Sequence, residues 1–469
     1  VIDLLEILVT PAPAIPPAAR PRAWTVEARA LAMLAAPLII TQLAQMATMT
    51  TDVFLLGRLS QTALAAAAIG NTVFYFAWLV GGGPASAVSP MIAHILGARE
   101  RDRAGVRGSL RMGLWAIAIT SAPMMLVMWE TRPILLALGQ APALAAQASL
   151  FVRALTFGLP FALGFLVLRN FANALGRPRA PMWVMGATIA WNALAGYALI
   201  FGHFGAPRLG IVGSGIATAS SALFSFLAML LVIQLTPAMR RYRLFRRFTR
   251  PVRARLAEVF RLGMPIGMTM IFEAMMFNCM TLVMGRFGTA SLAAHQIALN
   301  FASITFMVPL GLGMASTVRV GLAMGAGDPA RARQAGLTAM ALSVAFMIPC
   351  GLIMVLFGSR IAGLYLGGRT GADAAVIAMA GLFMKAAAAF QVFDALQVVG
   401  AQSLRGLKDA RMPMILAGAS YWLVGIPTCL LLGLVLDMRG LGIWIGFVVA
   451  LGVAALLLCL RFQRLTRTG

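Results

Sequence analysis

Charge is what this 469-residue sequence has least of. Asp, Glu, Lys and Arg together make up 11% of it, and acids are the scarcest part, 14 against 38 Lys and Arg. A water-soluble fold is excluded, because a domain that is 61% apolar with a mean hydropathy of +0.88 cannot stay in water. Cysteine is sparse as well. Cys279, Cys350, Cys429 and Cys459 stand far apart in apolar runs without CxxC or zinc spacing, so they read as core filler. His94, His203 and His295 are scattered too. No His/Asp cluster or Ser/His pairing stands at a suitable spacing, so neither an enzyme nor a cofactor is expected. The alternation of a membrane barrel is missing, which leaves helices. Residues 1–24 hold acids, no basic leader and only a short apolar run, and read as a Pro-rich cytoplasmic lead-in rather than a signal peptide.

Long apolar runs are what the sequence has in abundance. A bilayer core of about 30 Å needs roughly 20 mostly apolar residues per helix. Twelve spans are expected, near 30–56, 63–96, 106–130, 145–168, 182–203, 210–235, 262–284, 291–324, 335–357, 374–400, 413–436 and 440–460. The second and eighth are long enough to continue into water or to tilt strongly. Numbering the loops by these spans sorts the basic residues by side. Only Arg58, Arg132, Arg153, Arg208, Arg286, Arg360, Arg369 and Arg439 fall in odd-numbered loops, and Lys385 falls within span ten; the rest lie at the termini and even loops. By the positive-inside rule both termini are cytoplasmic. The net charge of +24 then describes loops facing anionic headgroups, above all RRYRLFRRFTRPVRARLAEVFR at 240–261, and not a nucleic-acid partner. The expected organisation is a lead-in (1–29), a first lobe (30–235), a basic connector (236–261), a second lobe (262–460) and a tail (461–469).

The chain is written twice. GRLSQTALAAAAI at 57–69 and GRFGTASLAAHQI at 285–297 share Gly, Arg, Leu, Ala, Ala and Ile at an offset of 228, which also pairs Pro37 with Pro265 and Gly108 with Gly336. NALGRPRAP at 173–181 and SLRGLKDARMP at 403–413 look like further counterparts. Six spans fit this period, and an even number returns the chain to the same side, so the halves are parallel repeats with a cleft expected between two bundles. That is transporter geometry.

Three acids lie inside spans: Asp52 in LAQMATMTTDVFLLG, Glu273 in MTMIFEAMMFNCMTLVM and Asp394 in AAAAFQVFDALQVVG. An ionised carboxylate at a helix centre costs at least about 2.5–3.5 kcal/mol on insertion scales, so each needs a partner, a wet cavity or a proton. A group that loses a proton when a cation arrives is what coupling to an ion gradient requires. Helical spacing sets Thr48 one turn before Asp52, Thr269 one turn before Glu273, and Gln391 and Gln397 on either side of Asp394. Asn278, Gln296 and Asn300 add oxygens nearby. Such surroundings suit Na⁺ at Glu273 and Asp394 as well as H⁺. Lys385 is the one basic residue expected at comparable depth, snorkelling outward. The 30 Met and 27 Phe provide a deformable wall for varied hydrophobic ligands.

MTTDVFLLG (49–57), GHFGAPRLGIVGSGIATA (202–219), the FE and AAHQIALNFASITFMVPLGLGMASTVRVG region (272–321) and FDALQVVGAQSLRGLKD (393–409) resemble the multidrug and toxic compound extrusion (MATE) family, in its NorM-type branch. The resemblance covers nearly the whole chain beyond residue 25. It implies a bacterial inner-membrane antiporter, all-α, with twelve helices in two pseudo-symmetric six-helix bundles. It would extrude amphipathic, often cationic drugs and dyes in exchange for Na⁺ or H⁺. Asp52 matches the family's first-helix acid, Glu273 and Asp394 its second-lobe acids, and Asn192 an asparagine of the fifth helix. Two positions depart from the pattern: Gly196 stands where a second Asn can occur, and Phe390 where some members have Tyr. A lipid-linked sugar flippase of the same superfamily is the alternative, and it would need a cationic cavity. A two-lobed chain needs no partner to form its cleft, so a monomer is expected.

Overall fold

A computed structural model describes residues 24–99, 102–246, 248, 251–366 and 371–467. Residues 1–23 of the expected lead-in, several connector residues (Arg247, Thr249, Arg250) and Arg369 lie outside them. The described chain is helical, with no strand. Inside a bilayer this is the solution open to a chain whose backbone groups must bond within their own segment. The helices are α1 (Trp24–Leu59), α2 (Gln61–Ala98), α3 (Arg103–Trp129), α4 (Pro142–Thr156), α5 (Leu159–Ala174), α6 (Arg179–Phe201), α7 (Gly210–Leu235), α8 (Arg253–Gly285), α9 (Thr289–Gly325), α10 (Pro329–Leu366), α11 (Gly371–Gly406), α12 (Arg411–Val435) and α13 (Arg439–Leu465). Eleven are long and apolar enough to cross a membrane, and α4 with α5 makes a twelfth span bent by 46°. Large apolar side chains face outward along them, Leu282 and Leu423 for example at 77% and 75% exposure. This is a multi-pass membrane protein.

Polar residues at the loops close the helix ends. The Ser60 hydroxyl accepts from Ala63 N at 3.0 Å, and the carboxylates of Asp102 and Asp328 accept from Gly105 N at 2.8 Å and Arg331 N at 2.9 Å. These loop acids are therefore caps. The helices add three details to the expected spans. The fourth span is not one helix: it breaks at Gly158, where a Cβ would come 2.8 Å from Ala219 Cα, and Pro160 restarts the chain in a new direction. The first span starts at Trp24, earlier than position 30. The helix α8 opens at Arg253, inside the expected basic connector, with RARLAEVFR as its first turns.

The repeat is visible in the helix boundaries. Shifted by 228, Gln61–Ala98 falls on 289–326, against Thr289–Gly325 for α9; Gly210–Leu235 falls on 438–463, against Arg439–Leu465 for α13. The chain forms two compact units. Unit one is Ile40–Gly267, and unit two joins residues 24–39 to 268–467. Both boundaries fall inside helices, two residues after Pro37 in α1 and two after Pro265 in α8, where a proline has removed a backbone hydrogen bond.

In unit one, α2 packs on α3, α4 and α5, around a core that includes Phe151, Phe171 and Tyr242. The first half of α8 lies against α2, so close that a Cβ on Gly83 would sit 2.6 Å from Gly267 N. In unit two, α11 is central, against α9, α10 and α13, and Trp444, Phe447, Phe383 and Tyr421 fill the core. Here the first half of α1 lies against α9: a Cβ on Gly311 would come 3.1 Å from Ile39 N. A buried ion pair fastens it, with Arg319 donating through Nε and Nη2 to the two Glu27 oxygens at 2.5 and 2.6 Å.

Candidate functional site

Each unit holds acids within its helices. In unit one, α1 carries Asp52, half-buried, and α6 and α7 bring its partners: Asn192 Nδ2 donates to Oδ1 at 3.2 Å and the Thr218 hydroxyl to Oδ2 at 3.0 Å. Asn192 is fully buried, and its Oδ1 has no hydrogen-bond partner. One amide and one hydroxyl therefore donate to a single carboxylate, one to each of its oxygens. The space where a second amide would stand beside Gly196 is taken by Leu55, whose Cδ1 lies 2.8 Å from the position of a Cβ there.

Unit two has the larger cluster. Glu273 projects from α8, Asp394, Gln397 and Arg405 from α11, and Tyr421 from α12. Glu273 and Asp394 repel each other electrostatically, Arg405 exerts an opposite, attractive influence on Glu273, and the Tyr421 hydroxyl stands beside Gln397. Asp394 and Gln397 are 6% and 2% exposed, yet Asp394 Oδ1 and Gln397 Oε1 have no hydrogen-bond partner. Tyr421 reaches the cluster from the first of two π-helical turns, Ser420–Gly425 and Leu431–Val435, each of which widens α12 by one residue. Phe390 packs edge-on to Phe277 and Trp444, so the face one turn before Asp394 is aromatic and dry.

Other expected neighbours are placed differently. The Thr48 hydroxyl donates to the Ala44 carbonyl at 3.1 Å rather than to Asp52, and Thr218 supplies the hydroxyl instead. Asn278 and Gln296 face outward, Asn278 donating to the Ala274 carbonyl at 2.7 Å, and Asn300 accepts from the Tyr365 hydroxyl at 2.9 Å. Gln391 is buried between the Thr305 hydroxyl and Met354 Sδ. Thr269 is buried one turn before Glu273.

The expectation that Lys385 alone is a deep base is also corrected. Lys385 is exposed, whereas Arg111, Arg169, Arg319 and Arg405 are buried. Sequence reasoning passed over Arg405 because it stands one residue from the glycine that ends α11, beside a basic loop. Its signal was a spacing of 11 residues from Asp394, three turns along one helix face.

The unit-two cluster can hold a proton or a hard monovalent cation. Two oxygens await a partner, and two acids beside one guanidinium leave a single negative charge to neutralise. No group of three or more His, Cys, Asp or Glu side chains is gathered among the described residues, which gives the cluster no set of ligands for a tightly held transition metal.

Comparison with known proteins bears on the whole chain. The MatE family model matches residues 37–198 and 265–431. The probable multidrug resistance protein NorM of Mesorhizobium japonicum is 44% identical over 445 residues, 95% of both chains. Its namesake from Rhizobium meliloti is 42% identical over 444 residues, again 95% of both. The crystal structure of the eukaryotic MATE transporter AtDTX14 superposes with a TM-score of 0.83 at 23% identity, covering 95% of this chain and 99% of that one, a likeness of fold.

Proposed function

Because the chain belongs to the MatE family, we propose that it is a secondary multidrug efflux transporter of a bacterial inner membrane, with both termini cytoplasmic. It exports amphipathic, often cationic molecules without altering them, in exchange for H⁺ or Na⁺. One observation carries the coupling: the Asp394 carboxylate is buried in an apolar unit with an unpartnered oxygen and a second carboxylate, Glu273, in electrostatic contact. Two neighbouring carboxylates out of water repel each other, and an arriving cation relieves this. Arg405 cancels one of the two charges, so one monovalent cation per cycle neutralises the cluster. Binding from outside favours the state that releases drug, and release inside resets the protein. Asp52, with Asn192 and Thr218, is the corresponding acid of unit one. The chain works as a monomer.

The flippase reading needs free buried cations for a pyrophosphate. Arg319 is paired with Glu27, and the one guanidinium among the described residues bonded only to neutral glutamines, that of Arg169, is too little charge for a pyrophosphate against the acids Asp52, Glu273 and Asp394, which favours the efflux reading.

The test is efflux of a fluorescent cationic dye from proteoliposomes under a Na⁺ or a pH gradient at fixed membrane potential. One gradient accelerates the wild type, and Glu273→Gln folds but loses that acceleration. Full gradient-driven efflux by Glu273→Gln sinks the coupling assignment. Asp52→Asn reports on unit one: if it alone fails, coupling belongs there.

A further inference from the structure

Arg169, on α5, is 4% exposed. Its Nη1 donates to Gln42 Oε1 at 2.9 Å and Gln45 Oε1 at 3.0 Å, both from α1. These partners are neutral, and among the described residues no carboxylate pairs with the guanidinium. Its Nε is buried without a hydrogen-bond partner. One turn further on the same face, Asn173 is 2% exposed, and both of its side-chain amide atoms are equally without a partner. Asn170 is different, because its amide donates to the Ala85 carbonyl at 2.9 Å.

A single turn of α5 thus gathers an uncompensated charge and three orphaned polar atoms. Interior water answers for an amide but not for a guanidinium charge, which calls for an anion. The neighbours agree with that sign. The two glutamines turn their acceptor ends to Arg169 and keep their NH₂ ends as further donors, so the site is an array of donors around a cation. Gln42 and Gln45 are half-buried, and Asp52 lies seven residues beyond Gln45, about 10.5 Å along the same face of α1.

We infer that unit one binds an anionic group of the transported molecule, a carboxylate or similar oxyanion, at Arg169, with Asn173, Gln42 and Gln45 as supporting donors. This rests on the efflux reading and narrows it: the chain accepts substrates with an acidic end as well as a basic one, the amine toward Asp52 and the carboxylate toward Arg169.

The experiment compares a rhodamine dye as its free carboxylate and as its methyl ester, for the wild type, Arg169→Gln and Arg169→Lys. Transport is measured in proteoliposomes, and equilibrium binding by fluorescence polarisation on detergent-solubilised protein. Arg169→Gln is expected to lower the acid-to-ester ratio of kcat/KM, and of affinity, by about tenfold, and Arg169→Lys to recover part of it. An unchanged ratio in the folded variants would make Arg169 a strut between α1 and α5 and overturn the proposal. Selective loss of acid binding without gradient-driven movement of either dye upholds the anion site and discards the efflux reading. If chloride protects the wild type from heat in an Arg169-dependent way while the dye's carboxylate does not, the anion is a free ion and the substrate assignment falls.

Discussion

Remove one member of an ion pair that water cannot reach and its partner is stranded with a full charge. Glu27 and Arg319, 2% and 7% exposed at their side chains, are such a pair. Glu27→Ala should cost about 3–5 kcal/mol, seen as a lower thermal midpoint in detergent, and joint replacement of both residues by apolar ones should recover most of it. Asp409 and Arg461, also 2.5 Å apart but 16% and 30% exposed, are partly screened, so Asp409→Asn should cost about 1 kcal/mol or less. The same scale explains what one dimension could show. Asp52, Glu273 and Asp394 were legible because an acid in a long apolar run violates its surroundings wherever the helix points. Thr218 was not, because it stands 166 residues from the carboxylate it serves. Arg169 and Arg405 were hidden by position, near helix ends where basic loops begin.

Between helices, glycine and proline set the distances. A side chain at Gly311 must displace α1, since a Cβ there meets Ile39 backbone atoms at 3.1 and 3.2 Å. Gly311→Val should therefore cost about 1–3 kcal/mol by overpacking. Gly186 is the control, mid-helix in α6 with nothing within 4 Å; Gly186→Ala should stabilise by about 0.5–1 kcal/mol. Thermal midpoints of the two variants moving in opposite directions would bear this out. At this scale hydropathy located the spans well but not their interruptions. Apolar residues run straight through the break at Gly158, and nothing in the composition of SYWLVG marks a π-helical turn, whose extra residue is accommodated by packing rather than by propensity.

For the whole molecule, the division of α1 and α8 between units matters more than the connector that separates the halves in sequence. Cut the chain in that connector, and the first fragment keeps residues 24–39, which belong to unit two, while the second keeps 253–267, which belong to unit one. Neither fragment should accumulate as a folded protein alone, and co-expression should restore dye efflux. Stable accumulation of either fragment by itself would contradict the division. Pattern and period revealed the repeat, but not this exchange, because a sequence offset relates positions without saying which unit each half-helix joins.

That exchange has a consequence for either half taken alone. In a half-length chain with the same sequence pattern, the half-helix before the proline could not be completed by its own unit; it would have to be lent to a second copy, and borrowed back from it. Such a half-length chain would be stable only as an obligate pair of copies. Joining the halves through a basic connector makes the loan permanent within one polypeptide, and the two halves need not be identical. Here one half holds a single acid with an asparagine and a threonine, and the other two acids and an arginine.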